Sequence, residues 1–325
     1  MFKIVEKRRW FFLLSALVIM PGLAVMLLST VATGSPFRLS IDFVGGSIYE
    51  LKFQDAGATE DSIRQVFGAV GDENIIIQRI GAASDYRWSV RAGFHDVEAT
   101  NDILLRLGSI TPIDRDSFRA ETVSATIGQE VTRSALAAVA VGALVITGFI
   151  VIAFRQVPNA IRYGVCAIAA MIHDILVVMG VMSLFGLLLG WEIDALFLTA
   201  VLTVVGFSVQ DSIVVFDRIR ENIPKHLGEP FETIVNRSIW ETIHRSLATQ
   251  LNAFFIMIAI LLFGGETVKQ FIAILFIGLL SGTYSSIFTA VPLLVAWEKG
   301  ELPFTGVKPK NGELDEAGMA QANAS

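Results

Sequence analysis

The chain has little charge and few of the side chains on which most enzymes and metal sites depend. Asp, Glu, Lys and Arg make up 17% of its 325 residues, and it has 4 His and 1 Cys. A single cysteine, Cys166, excludes a disulfide framework within the chain. No zinc-spaced Cys/His cluster, Gly-rich phosphate loop or Ser/His/Asp arrangement stands out. The sequence therefore predicts neither an enzyme nor a site for a metal or another cofactor.

The chain also lacks a basic face. Its formal net charge is -6, and its basic residues are spread over several segments without interleaved aromatics, so no nucleic-acid binding is predicted. Apolar residues are what it has in excess, with 53% of the chain hydrophobic and a mean hydropathy of +0.61. This composition is unlike that of an ordinary soluble domain and predicts an integral membrane protein that lies in a lipid membrane.

Six apolar segments are long enough to cross a bilayer, which takes about 20 residues as a helix. They are residues 10–31, 135–154, 161–185, 193–216, 247–263 and 271–297. The first is longer than the apolar run of roughly 7–15 residues in a cleaved signal, so we expect an uncleaved anchor. The predicted organisation is a tail 1–9, transmembrane helix 1 at 10–31, an outer domain 32–133, transmembrane helices 2–4 in 134–217, a polar connection 218–246, transmembrane helices 5–6 in 247–297 and a disordered tail 298–325.

The distribution of Lys and Arg predicts the orientation, because short loops rich in these residues stay in the cytoplasm. The tail 1–9 has four of them and the connection 218–246 has five, whereas the turn 186–192 has none. Both termini should therefore be cytoplasmic and the domain 32–133 should lie on the outer, periplasmic side. Apolar residues spaced among charges in 218–246 predict an amphipathic helix on the inner membrane surface.

The outer domain shows a βαββαβ pattern, which is the order of a ferredoxin-like α+β fold. The predicted strands are 47–53, 73–80, 86–91 and 117–124, and the predicted helices are 59–69 and 96–107. Thr59 and Asp96 are suitable N-caps for the two helices. The chain as a whole is predicted to be an all-α six-span bundle with this domain between spans 1 and 2.

Asp211 lies inside the fourth apolar segment, where a carboxylate is expensive and marks a candidate functional site. Counted from the outer ends of their spans, Asp211 and Arg245 lie at similar depths of roughly 26 and 29 Å, so they can meet if their helices are neighbours. We hypothesise that Asp211 takes up and releases a proton while Arg245 acts as its gating partner. The alternative is a static ion pair in which Arg245 reaches the headgroups.

His173 and Asp174 form a second pair of ionisable residues, near the middle of the third span. Histidine can titrate near neutral pH, which suggests an ion relay. Adjacent helical residues point in different directions, so a structural contact with a neighbouring helix or a partner subunit is the alternative. In the sixth span, small residues from Gly278 to Ser286 predict close helix packing, within the chain or with a partner.

Two short motifs lie next to the apolar segments, one after the first segment and one after the fourth. The first, Asp42-Phe43-Val44-Gly45-Gly46, opens the outer domain, and its glycines are typical of a tight turn or, alternatively, of substrate contact. The second, Asp217-Arg218-Ile219-Arg220-Glu221-Asn222, ends the fourth span, where Asp217 and Arg220 are placed to pair at i, i+3.

Both motifs resemble the SecF family of bacterial protein-export subunits, which has a DFxGG-like signature and a DRIREN-like run after an acidic residue of the fourth span. His244-Arg245 is similar to the His-Arg that begins the fifth span in that family. Gln210 departs from the asparagine that the family more often carries, although both are neutral amides. The layout of one span, a large outer domain and five spans is also similar to each half of a resistance-nodulation-division (RND) transporter.

The resemblance implies a subunit that uses proton or sodium motive force to promote polypeptide translocation across the bacterial inner membrane. RND transporters usually have two six-span halves, so a lone half implies a SecD-like partner in a heterodimer. The other implied partners are a SecYEG-like channel, a YidC-like insertase and the exported polypeptide. Two other functions stay open at this stage, namely a small-molecule or lipid exporter of the same superfamily and a passive membrane scaffold.

Overall fold

The computed structural model describes residues 3–153 and 160–302, and in this part of the chain long helices dominate. The helices are α1 (Arg8–Thr33), α2 (Ile41–Val44), α3 (Glu60–Ala69), α4 (Val97–Ile110), α5 (Ala125–Ala153), α6 (Ala160–Leu189), α7 (Ala195–Lys225), α8 (Phe231–Phe263), α9 (Glu266–Ser285) and α10 (Val291–Glu298). A π-helical segment, Ser286–Ala290, joins α9 to α10. The strands are β1 (Gly46–Lys52), β2 (Ile76–Ile80), β3 (Arg87–Ala92) and β4 (Arg119–Val123).

Six helical stretches are long and apolar enough to cross a membrane, which confirms the predicted number of spans. They are α1, α5, α6, α7, α8 and the continuous helix from α9 to α10. In their most apolar windows, α6 buries 56% of its residues, and α7 and the α9–α10 helix bury 50% each. The windows of α1 and α5 bury only 6%, so α6, α7 and α9 form the core of the bundle.

Residues 218–246 do not form the separate surface helix that the sequence predicted. α7 continues to Lys225, a short turn with Gly228 at φ +88° follows, and α8 then runs unbroken from Phe231 to Phe263. The reason is local, because α8 contains no glycine or proline that would end a helix where its sequence changes from amphipathic to apolar. The amphipathic pattern belongs to the first half of a spanning helix.

The domain between the first two spans, which the sequence predicted to be the outer one, forms a compact unit over residues 39–138 with a four-stranded antiparallel sheet in the order β2-β3-β1-β4. With α3 and α4 this is the predicted ferredoxin-like fold. Both predicted N-caps are confirmed, since Thr59 accepts a hydrogen bond from the Ser62 N–H and Asp96 accepts one from the Ala99 N–H. The core between sheet and helices is formed by fully buried side chains, among them Tyr49, Leu51, Phe53, Phe67, Ile103 and Leu107.

The glycine pair of the first motif makes the tight turn between α2 and β1. Gly45 has φ +77° and Gly46 has φ +127°, both in the region that favours glycine. A Cβ on Gly45 would lie 2.8 Å from the Cα of Ala125, the first residue of α5. The turn interpretation is therefore confirmed by the backbone. Asp42 lies in α2 just before it.

Ion pairs join the two ends of the described chain. Arg8 bonds to both Glu232 and Glu301, and Lys299 lies 2.6 Å from Glu232. These contacts tie the start of α1 to the start of α8 and the end of α10. Most of the tail that was predicted to be disordered, residues 303–325, lies outside the described residues.

Candidate functional site

Asp211 is buried between α7 and α8, with 6% of its surface exposed. Its Oδ2 accepts a hydrogen bond of 2.7 Å from Nε2 of Gln250. Gln250 is itself 2% exposed, and its Oε1 has no hydrogen-bond partner among the described residues. A neutral amide satisfies one carboxylate oxygen but supplies no countercharge. Asp211 is therefore a buried acidic group whose charge no described cation pairs.

The predicted contact between Asp211 and Arg245 is not made. Arg245 is exposed and forms no ion pair with Asp211 in the part of the chain that the structure describes. Arg245 and Gln250 both lie on α8, and Gln250 is five residues, or about 7.5 Å of helix rise, beyond Arg245. That register puts the amide, and not the guanidinium, beside the carboxylate. His244 is exposed as well.

Arg245 instead lines a cavity of about 560 Å³ between α7 and α8. The other charged lining residues are Asp217, Arg218, Glu221 and Glu241. Val214 also lines it and lies three residues beyond Asp211, which is less than one helical turn. A polar cavity therefore reaches from the charged end of α7 to within about one turn of the buried carboxylate.

The charged motif at the end of α7 ties this helix to α8. Arg220 pairs with Asp217 at 2.7 Å, as the spacing predicted, and Arg218 pairs with Glu221 at 2.8 Å. Two further bonds cross to α8. Nε of Arg218 donates to Glu241 at 2.6 Å, and the buried amide of Asn222 donates to the same carboxylate at 2.8 Å. The motif therefore holds the two helices together at one end of the cavity.

Asp174 is held in a cage of hydroxyl groups, and only 1% of its surface is exposed. Ser281 donates to Oδ1 at 2.6 Å and Ser285 donates to Oδ2 at 2.7 Å, both from α9, and Ser208 of α7 also donates to Oδ2. Nδ1 of His173 lies 3.1 Å from Oδ1. Two of the small residues that predicted close packing in the sixth span are therefore hydrogen-bond donors to Asp174.

Close approach of α9 makes this cage possible. A Cβ on Gly282 would come within 3.4 Å of the Ser208 Cα and 3.6 Å of the Asp174 Oδ2. A Cβ on Gly278 would lie 2.2 Å from a methyl group of Val204. The small side chains at both positions bring α9 close enough to α7 for its serines to reach the carboxylate.

The site contains four residues that sequence reasoning did not select as functional: Gln250, Ser208, Ser281 and Ser285. Each is a polar side chain inside an apolar helix, which is the same signal that selected Asp211. Hydroxyl groups are weak signals in a membrane helix, because serine can bond to its own backbone. Gln250 carries the stronger signal, since its amide cannot be satisfied by one backbone carbonyl.

The chain has six apolar helices, two of which carry a buried carboxylate, and a ferredoxin-like domain between the first two helices. This is a multi-pass membrane protein built like one half of a transporter. A family model described as "Protein export membrane protein SecD/SecF, C-terminal" matches residues 107–300, and one described as "SecD/SecF GG Motif" matches residues 31–56. The chain belongs to the SecD/SecF family of protein export membrane proteins.

Its relatives include protein translocase subunits named SecF. The SecF of Anaerolinea thermophila is 45% identical over 302 residues, covering 93% of this chain and 96% of that protein. The SecF of Thermobaculum terrenum is 40% identical over 314 residues, covering 92% and 94%. The crystal structure of SecDF from Thermus thermophilus, described as a translocon-associated membrane protein, matches with a TM-score of 0.74 and 32% identity. The match covers 91% of this chain but 38% of that one.

Proposed function

We propose that this chain is the SecF-like half of a Sec protein-export complex and works with a SecD-like partner. The support is its similarity to SecF over nearly the whole length of both chains, and to SecDF over 38% of the longer chain. A six-span half leaves a second half to be supplied, as in transporters built from two repeats. A SecYEG-like channel and a YidC-like insertase are the further partners in this proposal, and the exported polypeptide is its substrate.

The chain lies in the cytoplasmic (inner) membrane with both termini in the cytoplasm and the domain 32–133 in the periplasm. The excess of Lys and Arg in the tail 1–9 and around the turn between α7 and α8 supports this orientation. It puts the cavity between α7 and α8 at the cytoplasmic end of the bundle. The glycine turn and the ferredoxin-like domain are then on the side where the polypeptide emerges.

Asp211 binds the ion whose downhill movement drives export. The observation that carries this step is the buried carboxylate, which is bonded to a neutral amide and lies about one turn from a charged cavity. An unpaired charge in an apolar interior is strongly unfavourable, so neutralisation by a proton or another cation releases considerable free energy. Burial without a countercharge therefore makes Asp211 responsive to the ion gradient.

Arg245 gates this site. It lies in the same cavity and on the same helix as Gln250, but it does not reach Asp211 in this conformation. A shift of α8 along its axis by about 7.5 Å, or a smaller shift with a change of side-chain rotamer, exchanges the neutral amide for a guanidinium. Because arginine stays protonated, it pairs with the ionised carboxylate and releases the bound ion.

The test is the export rate of a secreted reporter in cells whose only copy of the gene carries Asp211→Asn, compared at matched protein levels. We expect loss of the component of export that depends on the membrane potential and ion gradients. Asp102→Asn is the control, since Asp102 is half-exposed on α4, far along the chain from the apolar spans, and its ion pair among the described residues is with Arg106 at i, i+4. Dissipating the proton and sodium gradients separately identifies the ion. Unchanged gradient-dependent export in Asp211→Asn would reject the coupling role and favour a passive scaffold.

A further inference from the structure

The hydrogen bonds around Asp174 determine which nitrogen of His173 carries a hydrogen. An ionised carboxylate can only accept hydrogen bonds, and three serine hydroxyls already donate to this one. The fourth contact, from Nδ1 of His173 to Oδ1 at 3.1 Å, is then a bond in which Nδ1 is the donor. In the neutral ring, Nε2 is left with a free lone pair.

That lone pair is buried and has no partner. His173 is 6% exposed, and Nε2 bonds to nothing in the described residues. The pair therefore has the arrangement in which a fixed carboxylate orients an imidazole and stabilises its protonated form. A proton on Nε2 creates an imidazolium beside Asp174 and changes the net charge of the buried pair from -1 to zero.

The free Nε2 of His173 favours a proton over a sodium ion. Sodium prefers oxygen ligands, and both oxygens of Asp174 already accept hydrogen bonds from hydroxyl groups. An imidazole nitrogen binds protons and transition metals, but no group of three His, Cys, Asp or Glu side chains in the described chain is placed to hold a metal ion.

We infer that Nε2 of His173 is a second, proton-specific binding site in the membrane, separate from Asp211, with Asp174 as its fixed anchor and not as a carrier. The inference deepens the proposed ion-driven function and rests on it for its role in export. It also gives the two residues different tasks, although they are neighbours in sequence.

A polar route leads away from this site along α1. The Tyr284 ring stacks on His173 with centroids 6.0 Å apart, and its hydroxyl donates to the carbonyl of Phe11 at 2.8 Å. Ser15 of α1 lies 3.5 Å from that hydroxyl and 3.2 Å from Thr289, which is in the π-helical segment. π-helical turns inside α-helices are frequently found at functional sites.

The titratable groups near His173 are few. Asp174 contacts it from its own helix and Tyr284 faces it from α9. From α7 the contact to the pair is Ser208, and Asp211 lies three residues further along. The α1 residues on the route, Phe11 and Ser15, are uncharged. Among the described residues, any titration of His173 is therefore read against Asp174 and Tyr284, with Asp211 as a second carboxylate further along α7.

The test is ¹⁵N NMR of the histidine rings in the full chain, labelled with ¹⁵N-histidine and held in lipid nanodiscs. The chain has 4 His to resolve, namely His95, His173, His226 and His244. Loss of one set of signals in His173→Gln assigns the ring. At alkaline pH we expect a protonated Nδ1 and a bare Nε2, and on acidification we expect the bare-nitrogen signal to disappear as Nε2 takes up a proton. Replacing Na⁺ by K⁺ should leave the titration unchanged.

Variants distinguish the specific effect of Asp174 on the His173 ring from a non-specific effect of changing a buried side chain. Asp174→Leu should abolish the preference for a protonated Nδ1, because it removes the acceptor. Ser281→Ala combined with Ser285→Ala keeps the carboxylate and should keep the preference, but it should shift the pH at which Nε2 takes up its proton, because two donors to that carboxylate are lost. Ser286→Ala is the matched control, since Ser286 is also buried but donates to the carbonyl of Thr283. A protonated Nε2 at alkaline pH, a ring that never titrates, or a titration that depends on Na⁺ would each overturn the inference.

The measurement does not depend on export. Nε2 of His173 should still take up a proton in the Asp211→Asn chain, so failure of the coupling role of Asp211 is seen in the export assay alone. Conversely, normal gradient-dependent export combined with an absent His173 titration would overturn the second site and leave the proposed function standing.

Discussion

Gly22 of α1 and Gly180 of α6 meet backbone to backbone, so that a Cβ on Gly180 would lie 2.7 Å from the Cα of Gly22. Real Cβ atoms do not approach another backbone so closely, so any side chain at this position must push the two helices apart. The contact fixes α1 against the core of the bundle, on the side where α6 carries His173.

Gly180→Ala should therefore destabilise the protein. Overpacking of this kind costs about 1–3 kcal/mol, seen as a lower midpoint of thermal unfolding in detergent. Gly206→Ala in α7 is the matched control, because a Cβ there meets nothing within 4 Å and alanine is the better helix former. Equal midpoints for the two variants would show that the crossing of α1 and α6 is looser than this contact indicates.

Gln250→Leu tests the partner of Asp211. The change removes the amide that donates at 2.7 Å and leaves a buried carboxylate without its donor, at a cost of about 1–3 kcal/mol. We expect a lower unfolding midpoint and gradient-dependent export that is reduced several-fold, though less than in Asp211→Asn. Ser246→Ala, one turn earlier on α8, is the control, since its buried hydroxyl has no partner among the described residues and its loss should change stability by less than about 0.5 kcal/mol. The prediction fails if Gln250→Leu behaves like this control.

Gly46→Ala tests the turn that opens the outer domain. Its φ of +127° is strained for any other residue, and an added Cβ would lie 2.8 Å from the carbonyl oxygen of Ala92. We expect the domain to lose about 1–3 kcal/mol of stability, measured in the full chain as faster limited proteolysis within residues 39–138. Gly108→Ala in α4, where a Cβ meets nothing within 4 Å, should instead protect the domain slightly. Proteolysis of Gly46→Ala at the wild-type rate would contradict the strain.

Glu301→Gln tests the ion pair with Arg8 through its pH dependence. Nε of Arg8 donates to Glu301 at 2.9 Å, and this bond holds the pKa of that carboxyl below its ordinary value. A carboxyl whose pKa is lower in the folded state stabilises the fold above its ordinary pKa, and this contribution is lost as the pH falls through the folded value. Because Glu301 is partly exposed, we expect about 0.2–1 kcal/mol at pH 7.

The difference in unfolding midpoint between wild type and Glu301→Gln should therefore be present at pH 7 and vanish once the pH has fallen below the lowered pKa of Glu301 in the folded state. In an Arg8→Gln background, Glu301→Gln should have a smaller pH-dependent effect, because the main partner is absent and only the weaker attraction of Lys299 and Arg9 remains. A difference that persists at low pH would mean that the change acts through packing and not through the charge.

Local patterns predicted most of the fold. The length of each apolar run predicted the number of spans, and the βαββαβ pattern with the caps Thr59 and Asp96 predicted the domain between the first two spans, because these signals lie within a few residues of one another. Element ends were less accurate, and the second strand begins at Ile76 and not at Glu73. The continuity of α8 was missed because a change of hydrophobic pattern does not by itself end a helix.

The partners of the buried carboxylates could not be predicted in the same way. Gln250 is 39 residues from Asp211, and Ser285 is 111 residues from Asp174. Such contacts depend on the rotation and register of packed helices, which sequence spacing leaves free. The equal depths of Asp211 and Arg245 showed that their helices could bring them together, but a difference of five residues on α8 decides which side chain arrives.

Because α8 is one continuous helix, a force applied at one point of it is transmitted along its length. It is 33 residues long and is hydrogen-bonded to α7 at two points. Glu241 accepts from Arg218, and Gln250, roughly 14 Å further along, donates to Asp211. A helix without a hinge cannot absorb movement between two such points. If Asp211 is the ion site, as proposed, a change of charge there is expected to displace the part of α8 from Glu241 to Gln250 as one rigid piece, so that the binding of one ion becomes a movement of a whole helix.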